Sequence, residues 1–317
     1  MTLGLLTRFR RNALNAWSYT LNQLGIFFER AFALQPEDRR VADALSTRPL
    51  TAAPEAMPAL MQELLGGYTQ FARLLGQRTA EMHHALASRP DIPDFAPEPF
   101  TDFYRMGVVH GVIGTGSRVL ELARNNVHAL PEPTRRDVAV LIGMENAIKQ
   151  RFQLLRDRRI LALRIRLHGD YHLGQLLYTG DDFVVIDFEG DPRRPMSERR
   201  IKRSPVRDVA AMIRSFHYIS LAALFGRVPG IFPTSEPAER IEIWAHAWYS
   251  WVSGLFLQSY MEHADLRRFV PGGRDDFNLL LKVYLLEKAL IELEHEILVR
   301  PDWVRIPARG IVQVLQE

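Results

Sequence analysis

The 317-residue chain contains no cysteine. Disulfides, thiolate nucleophiles and Cys-ligated zinc or iron–sulfur sites are excluded together, so any chemistry must come from oxygen and nitrogen side chains. Excess charge of one sign is also scarce. Forty Lys and Arg against thirty-seven Asp and Glu leave a net +3, so the pI near 9.2 belongs to a nearly balanced chain and gives nucleic-acid binding little footing. No apolar run reaches the roughly 18 uncharged residues of a membrane helix, and the opening one is too short for a signal-peptide core. Internal repeats and low-complexity tracts are missing too. These absences point to a cytoplasmic protein without a membrane partner, and 47% hydrophobic with 10% aromatic residues predict a substantial core.

What is present is mostly helical pattern. Leu14, Trp17, Leu21, Leu24, Phe27, Phe28 and Phe32 recur at three- and four-residue steps and predict a helix over 14–34. Further helices are expected over 59–87, 103–129, 133–158, 206–224, 236–263 and 274–299, with a short tail after Pro301. Prolines punctuate 46–58 and 88–99. Gly114 and Gly116 lie within helical pattern, with no strand before them and no Lys-Ser/Thr pair after, which argues against a phosphate-binding loop. The texture changes once, over 161–194. There Leu163, Ile165 and Leu167 alternate with arginines, and two β-prone runs, 176–178 and 183–186, flank Thr179-Gly180-Asp181-Asp182. The expected fold is mainly α with one small β-hairpin.

That hairpin carries the candidate chemistry, LHGDYHLGQLLYTGDDFVVIDFEG over 167–190. With the turn centred on 181, Gln175 and Asp187 stand level at the open end, and Asp170 lies on the loop entering that end. Two carboxylates and a carboxamide converging there give oxygen ligands for a hard cation and one carboxylate to orient an attacking hydroxyl, a set suited to phosphoryl transfer. Any one of these residues alone reads as a turn cap. The joint spacing is harder to obtain by chance.

The H-G-D motif, with Gln five residues after the Asp and D-F-E-G at the next strand end, resembles the catalytic segment of the aminoglycoside-phosphotransferase and protein-kinase-like superfamily. Gln175 stands where most of that superfamily has Asn. HGDYHLGQ, the segment 184–216, AWSYTLNQLGIFFER, LGQRTAEMH and RPDWVRIP together resemble bacterial maltokinases, including those fused to trehalose synthase. The resemblance implies a kinase-like C-terminal lobe that transfers the ATP γ-phosphate to maltose, giving maltose 1-phosphate for α-glucan (glycogen) and trehalose metabolism, with Mg²⁺ as cofactor and trehalose synthase as a possible partner. By position, it makes Asp170 the catalytic base, Gln175 and Asp187 the metal ligands, and Asp208 the aspartate that braces the catalytic loop through backbone hydrogen bonds. His168, Lys288 and His295 would contact the sugar.

Around Lys288 the residues speak for themselves. Leu286, Leu290, Leu293 and Ile297 form one apolar stripe, which leaves Tyr284, Lys288, Ile291 and His295 on the other side to line a cleft. Ile291 and His295 replace two tyrosines of the family pattern, and an aliphatic side chain supplies no phenol hydroxyl. The basic run from Arg193 to Arg203 reads as a solvated loop sooner than a phosphate site. The resemblance divides the chain into a residual interlobe hinge over 1–13 and the C-lobe over 14–317, with the nucleotide lobe absent. Two function classes stay open: a phosphotransferase lobe, and a non-catalytic module that binds sugar or docks on trehalose synthase.

Overall fold

The computed structural model describes residues 13–35, 38–46, 50, 56–225 and 237–316; the expected hinge over 1–13 falls almost wholly outside them. The chain opens with β1 (Leu14–Asn15) and α1 (Ala16–Phe32), followed by α2 (Arg39–Leu45), α3 (Ala59–Leu65) and α4 (Tyr68–Leu86). Next come β2 (Glu98–Pro99), α5 (Asp102–Asn126), α6 (Glu132–Gly143) and α7 (Glu145–Asp157). The middle of the chain holds β3 (Leu163–Arg164), β4 (Leu176–Tyr178), β5 (Phe183–Val185) and the short α8 (Met196–Arg199). The rest is helical: α9 (Val206–Leu224), α10 (Ala238–His263), α11 (Leu266–Phe269), α12 (Gly273–Val299) and α13 (Arg305–Gln316).

The mainly-α reading with a small hairpin is what the structure shows, and its departures have local causes. The first helix starts at Ala16 because Leu14 and Asn15 pair with Tyr178 and Leu177 on β4, while the Asn15 side chain accepts from the Trp17 N–H at 3.0 Å. The helix expected over 59–87 is two helices. It breaks at Gly66, whose φ of +51° is a conformation other residues rarely adopt. The one expected over 133–158 is interrupted at Met144, and the expected tail after Pro301 is the twelve-residue α13, whose Ile306, Ile311 and Val314 are buried. The alternating segment near 163–167 makes only a two-residue strand beside β2 and a bridge from Ile165 to Arg203.

The hairpin register also differs from the expectation. Leu176 pairs with Val185 and Tyr178 with Phe183, so the centre lies between Gly180 and Asp181. The turn is closed by the Thr179 N–H on the Asp182 carbonyl at 2.9 Å. Gln175 therefore stands opposite Ile186, whose N–H bonds its carbonyl at 3.0 Å, and Asp187 lies one position beyond the ladder. There Asp187 takes φ +59°, one of two non-glycine residues with positive φ among those described.

One helix pair and one central helix organise the core. α4 and α10 pack so closely at Gly76 that a Cβ there would lie 2.3 Å from the Phe256 carbonyl oxygen and 2.9 Å from the Ser259 Cβ. α12 runs through the centre against α5, α9 and α13 and buries Phe277, Leu280, Leu286, Leu290 and Leu293 completely, each such side chain contributing roughly 1.5–3 kcal/mol. α9 thus lies between α10 and α12, and its N-terminal turn faces the loop that leads into the hairpin.

Gly76→Ala should separate α4 from α10 and destabilise the fold by about 1–3 kcal/mol, the usual cost of overpacking. Denaturant unfolding read by circular dichroism checks this; an unchanged midpoint would show that the two helices do not depend on that approach.

Candidate active site

The loop over 167–175 buries Tyr171 and Leu173 in the core, with the Tyr171 hydroxyl 2.8 Å from Thr79 Oγ1, and takes the rest of its shape from neighbours. Asp208, in the first turn of α9, is 2% exposed and accepts the His168 N–H on Oδ2 at 2.9 Å and the Gly169 N–H on Oδ1 at 3.2 Å. Its Oδ2 also faces His83 Nε2 at 3.4 Å, and His83 Nδ1 meets the Tyr260 hydroxyl at 3.0 Å. Burial alone would raise the Asp208 carboxyl; the His83 hydrogen bond and the His168 N–H hold it below its ordinary value. Two turns further along α9 the Ser215 hydroxyl accepts from the Leu173 N–H at 3.2 Å, and ahead of α1 the Asn15 amide donates to the Gly174 carbonyl at 3.0 Å.

His168 is itself part of this frame. Its Nε2 lies 2.8 Å from the Ile186 carbonyl and its Nδ1 3.3 Å from the Asp170 N–H, a pattern that places the proton on Nε2. The ring is 1% exposed and fastens the loop to the hairpin. Both nitrogens are engaged there, so the expected sugar contact from His168 is replaced by an internal one.

Asp170 points into a cleft of about 550 Å³. Its carboxylate, 15% exposed, lies 3.6 Å from His172 Nε2, while His172 Nδ1 accepts from the Gly174 N–H at 3.0 Å and so fixes the ring. Burial works to raise the Asp170 carboxyl, but His172, the positive charge of Lys288 and that of Arg193 outweigh it and bring it to about 2. It is ionised throughout the neutral range. His172 was not singled out from the sequence, although its spacing two residues after Asp170 was visible.

The rest of the cleft comes from α12, α9 and the ends of the chain. Lys288, Glu292, Glu296 and Arg300 follow one another at four-residue intervals along α12 and just past it, and His295 lies beside them. Tyr218 stacks on Trp303 with ring centroids 5.8 Å apart, and Trp17 stands 6.3 Å from Tyr218, an aromatic wall of the type that packs on the C–H face of a sugar ring. The sequence reading placed Lys288 and His295 on the cleft side, but it missed this wall and both glutamates. Tyr284 is buried beneath Arg207 rather than free, and Ile291 lies at the margin. The basic run is largely consumed internally: Arg193 forks onto Asp191, Arg199 bonds the Arg194 and Pro192 carbonyls, and Lys202 is buried against the Ala96 carbonyl and Glu98.

Gln175 and Asp187 stand at the open end of the hairpin with no side-chain hydrogen bond or ion pair among the described residues. A carboxylate and a carboxamide left uncommitted, one of them on a strained left-handed residue, suit a hard cation that takes its other ligands from phosphate and water. No group of three or more His, Cys, Asp or Glu that could cage a metal occurs among the described residues.

Asp208→Asn keeps one acceptor but loses the charge and one N–H bond, so it should cost on the order of 2–3 kcal/mol at neutral pH. Because the Asp208 and Asp170 carboxyls are both depressed in the folded chain, their stabilisation is present above about pH 4 and is lost as pH falls below it. Thermal melts from pH 7 to pH 3 should show the wild type losing more stability on acidification than Asp208→Asn; parallel curves would remove Asp208 from the account.

No protein-family model matches the chain. It is 24% identical over 246 residues to a glucosamine kinase of Streptacidiphilus jiangxiensis, a match covering 78% of this chain and 49% of that one. Over 57 residues it is 44% identical to a glucosamine kinase of Mycolicibacterium smegmatis (strain ATCC 700084 / mc(2)155), 18% of this chain and 14% of that one. Solved glucosamine kinase structures superimpose with TM-scores of 0.64 for crystal form A, at 21% identity over 96% of this chain and 57% of that one, and 0.62 for a complex with glucosamine, ADP and inorganic phosphate, at 22% identity over 97% and 62%. The chain spans about half the length of the Streptacidiphilus jiangxiensis glucosamine kinase. No membrane-crossing helix, by length and apolarity, occurs among the described residues. The chain therefore has the fold of about three fifths of a glucosamine kinase, and the proteins it is similar to are sugar kinases.

Proposed function

We propose that this chain is the acceptor-binding and catalytic part of an ATP-dependent sugar phosphotransferase. The observation that carries the reading is Asp170: an ionised carboxylate on a loop fixed by Asp208, facing a cleft with an aromatic wall and a Lys. Phosphoryl transfer asks little covalent chemistry of a protein; holding the acceptor hydroxyl in line and managing charge supply most of the acceleration. In this reading Asp170 accepts a hydrogen bond from the sugar hydroxyl, aims its oxygen and receives its proton as the new P–O bond forms. Lys288 and Arg193 keep that carboxylate ionised until then. Trp17, Tyr218 and Trp303 exclude water from one face of the ring. Asp187 and Gln175 would hold Mg²⁺, which when bound neutralises phosphate charge.

The curated relatives and solved structures make an amino sugar the first candidate acceptor. Maltose, which the sequence resemblance implies, is a second reading favoured by one observation: across Asp191, Arg193 and His295 the cleft adjoins a hollow of about 410 Å³, room for a second ring. Trehalose synthase enters as a partner only with that second reading.

Calorimetry at millimolar glucosamine, glucose and maltose should give saturable binding to this cleft, and Asp170→Asn should leave binding within a few-fold. Sugar-dependent ADP formation should then fall about 10²–10⁴-fold in Asp170→Asn, the usual contribution of a positioned base. No sugar binding at all would sink the reading; intact binding with no Asp170-dependent turnover would leave a sugar-binding module instead. For the metal, Mn²⁺ should broaden resonances near the hairpin in the wild type and far less in Asp187→Ala, and equal broadening would remove Asp187 as a ligand.

A further inference from the structure

α9 borders two hollows. Ala211, Ser215 and Tyr218 look toward the cleft, whereas His217, Ser220 and Leu221, on another face of the helix, form the floor of a separate cavity of about 580 Å³. That is the size of a small-molecule site. Its walls are α6, α10 and α13, and α10 turns one side to it: Glu239, Glu242, Ile243, His246 and Tyr249 stand at the three- and four-residue spacings of a single helix face. No residue of the sugar cleft lines it.

The charges of this cavity are unequal. Three carboxylates line it, Asp137, Glu239 and Glu242, against one cation, Arg309. Arg309 is already committed, with Nε on Asp137 at 3.2 Å and Nη1 on Glu242, and Asp137 also takes Arg305 Nε at 2.8 Å. Glu239 differs. It is exposed in the first turn of α10 and has no hydrogen bond or ion pair among the described residues. The two histidines add no positive charge: burial and the charge of Arg214 hold the His217 imidazole well below its ordinary range, and burial lowers that of His246 although Glu242 opposes it. Neutral His217, 3% exposed, donates from Nε2 to Gln313 Oε1 at 3.1 Å, which leaves its Nδ1 as an acceptor without a partner among the described residues. The uncommitted groups at the mouth and on the floor are therefore both acceptors.

Much of the remaining lining is apolar. Val140 and Ile243 are left 58% and 45% exposed on facing helices, with Leu45 and Val312 beside them. We propose that this cavity is a second ligand site, separate from the sugar cleft, and that it takes an organic ammonium, a positively charged N–H donor carried on an apolar chain or ring. The ammonium meets Glu239, and the apolar body covers Val140 and Ile243. An anion of the same shape would face a carboxylate that nothing compensates, and a neutral alcohol would leave Glu239 without a counter-charge. The site does not depend on the phosphotransferase reading and stands or falls apart from it.

Hexylammonium is the probe, with hexanol and hexanoate as its neutral and anionic counterparts, followed by NMR on the full chain carrying labelled Ile, Leu and Val methyl groups. Millimolar hexylammonium should shift the Val140, Ile243 and Val312 methyl signals saturably, hexanol should do so several-fold more weakly, and hexanoate should leave them in place. Ile291, at the margin of the sugar cleft, should not move. Glu239→Gln alters an exposed side chain and should lower the hexylammonium affinity roughly 3–5-fold, the contribution of a partly exposed ion pair, to the level of hexanol. Ile243→Asn should weaken hexylammonium and hexanol alike and keep their ratio. Equal affinity for the three probes, or an ammonium preference that survives Glu239→Gln, would overturn the charge assignment. Shifts at Ile291 without shifts at Ile243 would put the probe in the sugar cleft and overturn the second site, as would no shift at all.

Discussion

The Asp208 carboxylate is the point on which the site depends. Two consecutive backbone N–H groups, those of His168 and Gly169, end on its two oxygens, and Gly169 takes φ +84° to aim the second. With only Tyr171 and Leu173 in the core, the start of this loop would otherwise sample many conformations, and fixing a residue costs on the order of 1–2 kcal/mol of backbone entropy. Because Asp208 stands in the first turn of α9, the macrodipole of that helix favours its negative charge as well. The helices behind the site share in this: α4 and α10 supply His83 and Tyr260, so packing at Gly76 and orientation of Asp170 belong to one chain of contacts.

α12 is the second constraint. It is 27 residues long and buried on most of its circumference, yet it carries Lys288, Glu292, Glu296 and then Arg300 along a single line. Such a helix cannot expose a charge on its other faces without a buried partner, so the line of charges fixes where the cleft lies. Arg207 with Glu287 and Arg214 with Glu292 show the same rule from the core side: each cation of α9 that meets α12 finds a carboxylate there.

Much of this was legible in the sequence. The helices, the hairpin and the segment carrying Asp170, Gln175 and Asp187 follow from period, turn residues and spacing, because those signals act over a few residues. The one-residue shift in strand pairing was not readable, since a turn of Thr, Gly and two Asp accepts either register until Thr179 and Asp182 close it. The place of the His168 ring was not readable for a related reason. A loop histidine next to an aspartate has the same local pattern whether its ring faces a ligand or the Ile186 carbonyl, and only the returning strand decides. The aromatic wall was invisible because Trp17, Tyr218 and Trp303 come from three distant parts of the chain, and no periodicity relates them.

The charges of the cleft explain how it can be both dry enough for chemistry and selective. Asp191 and Glu296 are each matched by an arginine fork, Asp170 by Lys288, Arg193 and His172, and Glu292 by Arg214, so no net charge has to be buried when a sugar displaces water. Paired groups present few free lone pairs, however, and a hydrophilic ligand whose hydroxyls meet only satisfied groups gains nothing for its own desolvation. Selectivity then falls to the few acceptor atoms left open. In this cleft the ionised Asp170 carboxylate is such an acceptor, and in the proposed reaction it is the one that meets the reacting hydroxyl. Under the proposed phosphotransfer, a fixed carboxylate with an aromatic wall beside it defines a ring position and a ring face, which is the minimum needed to bring one particular hydroxyl to Asp170.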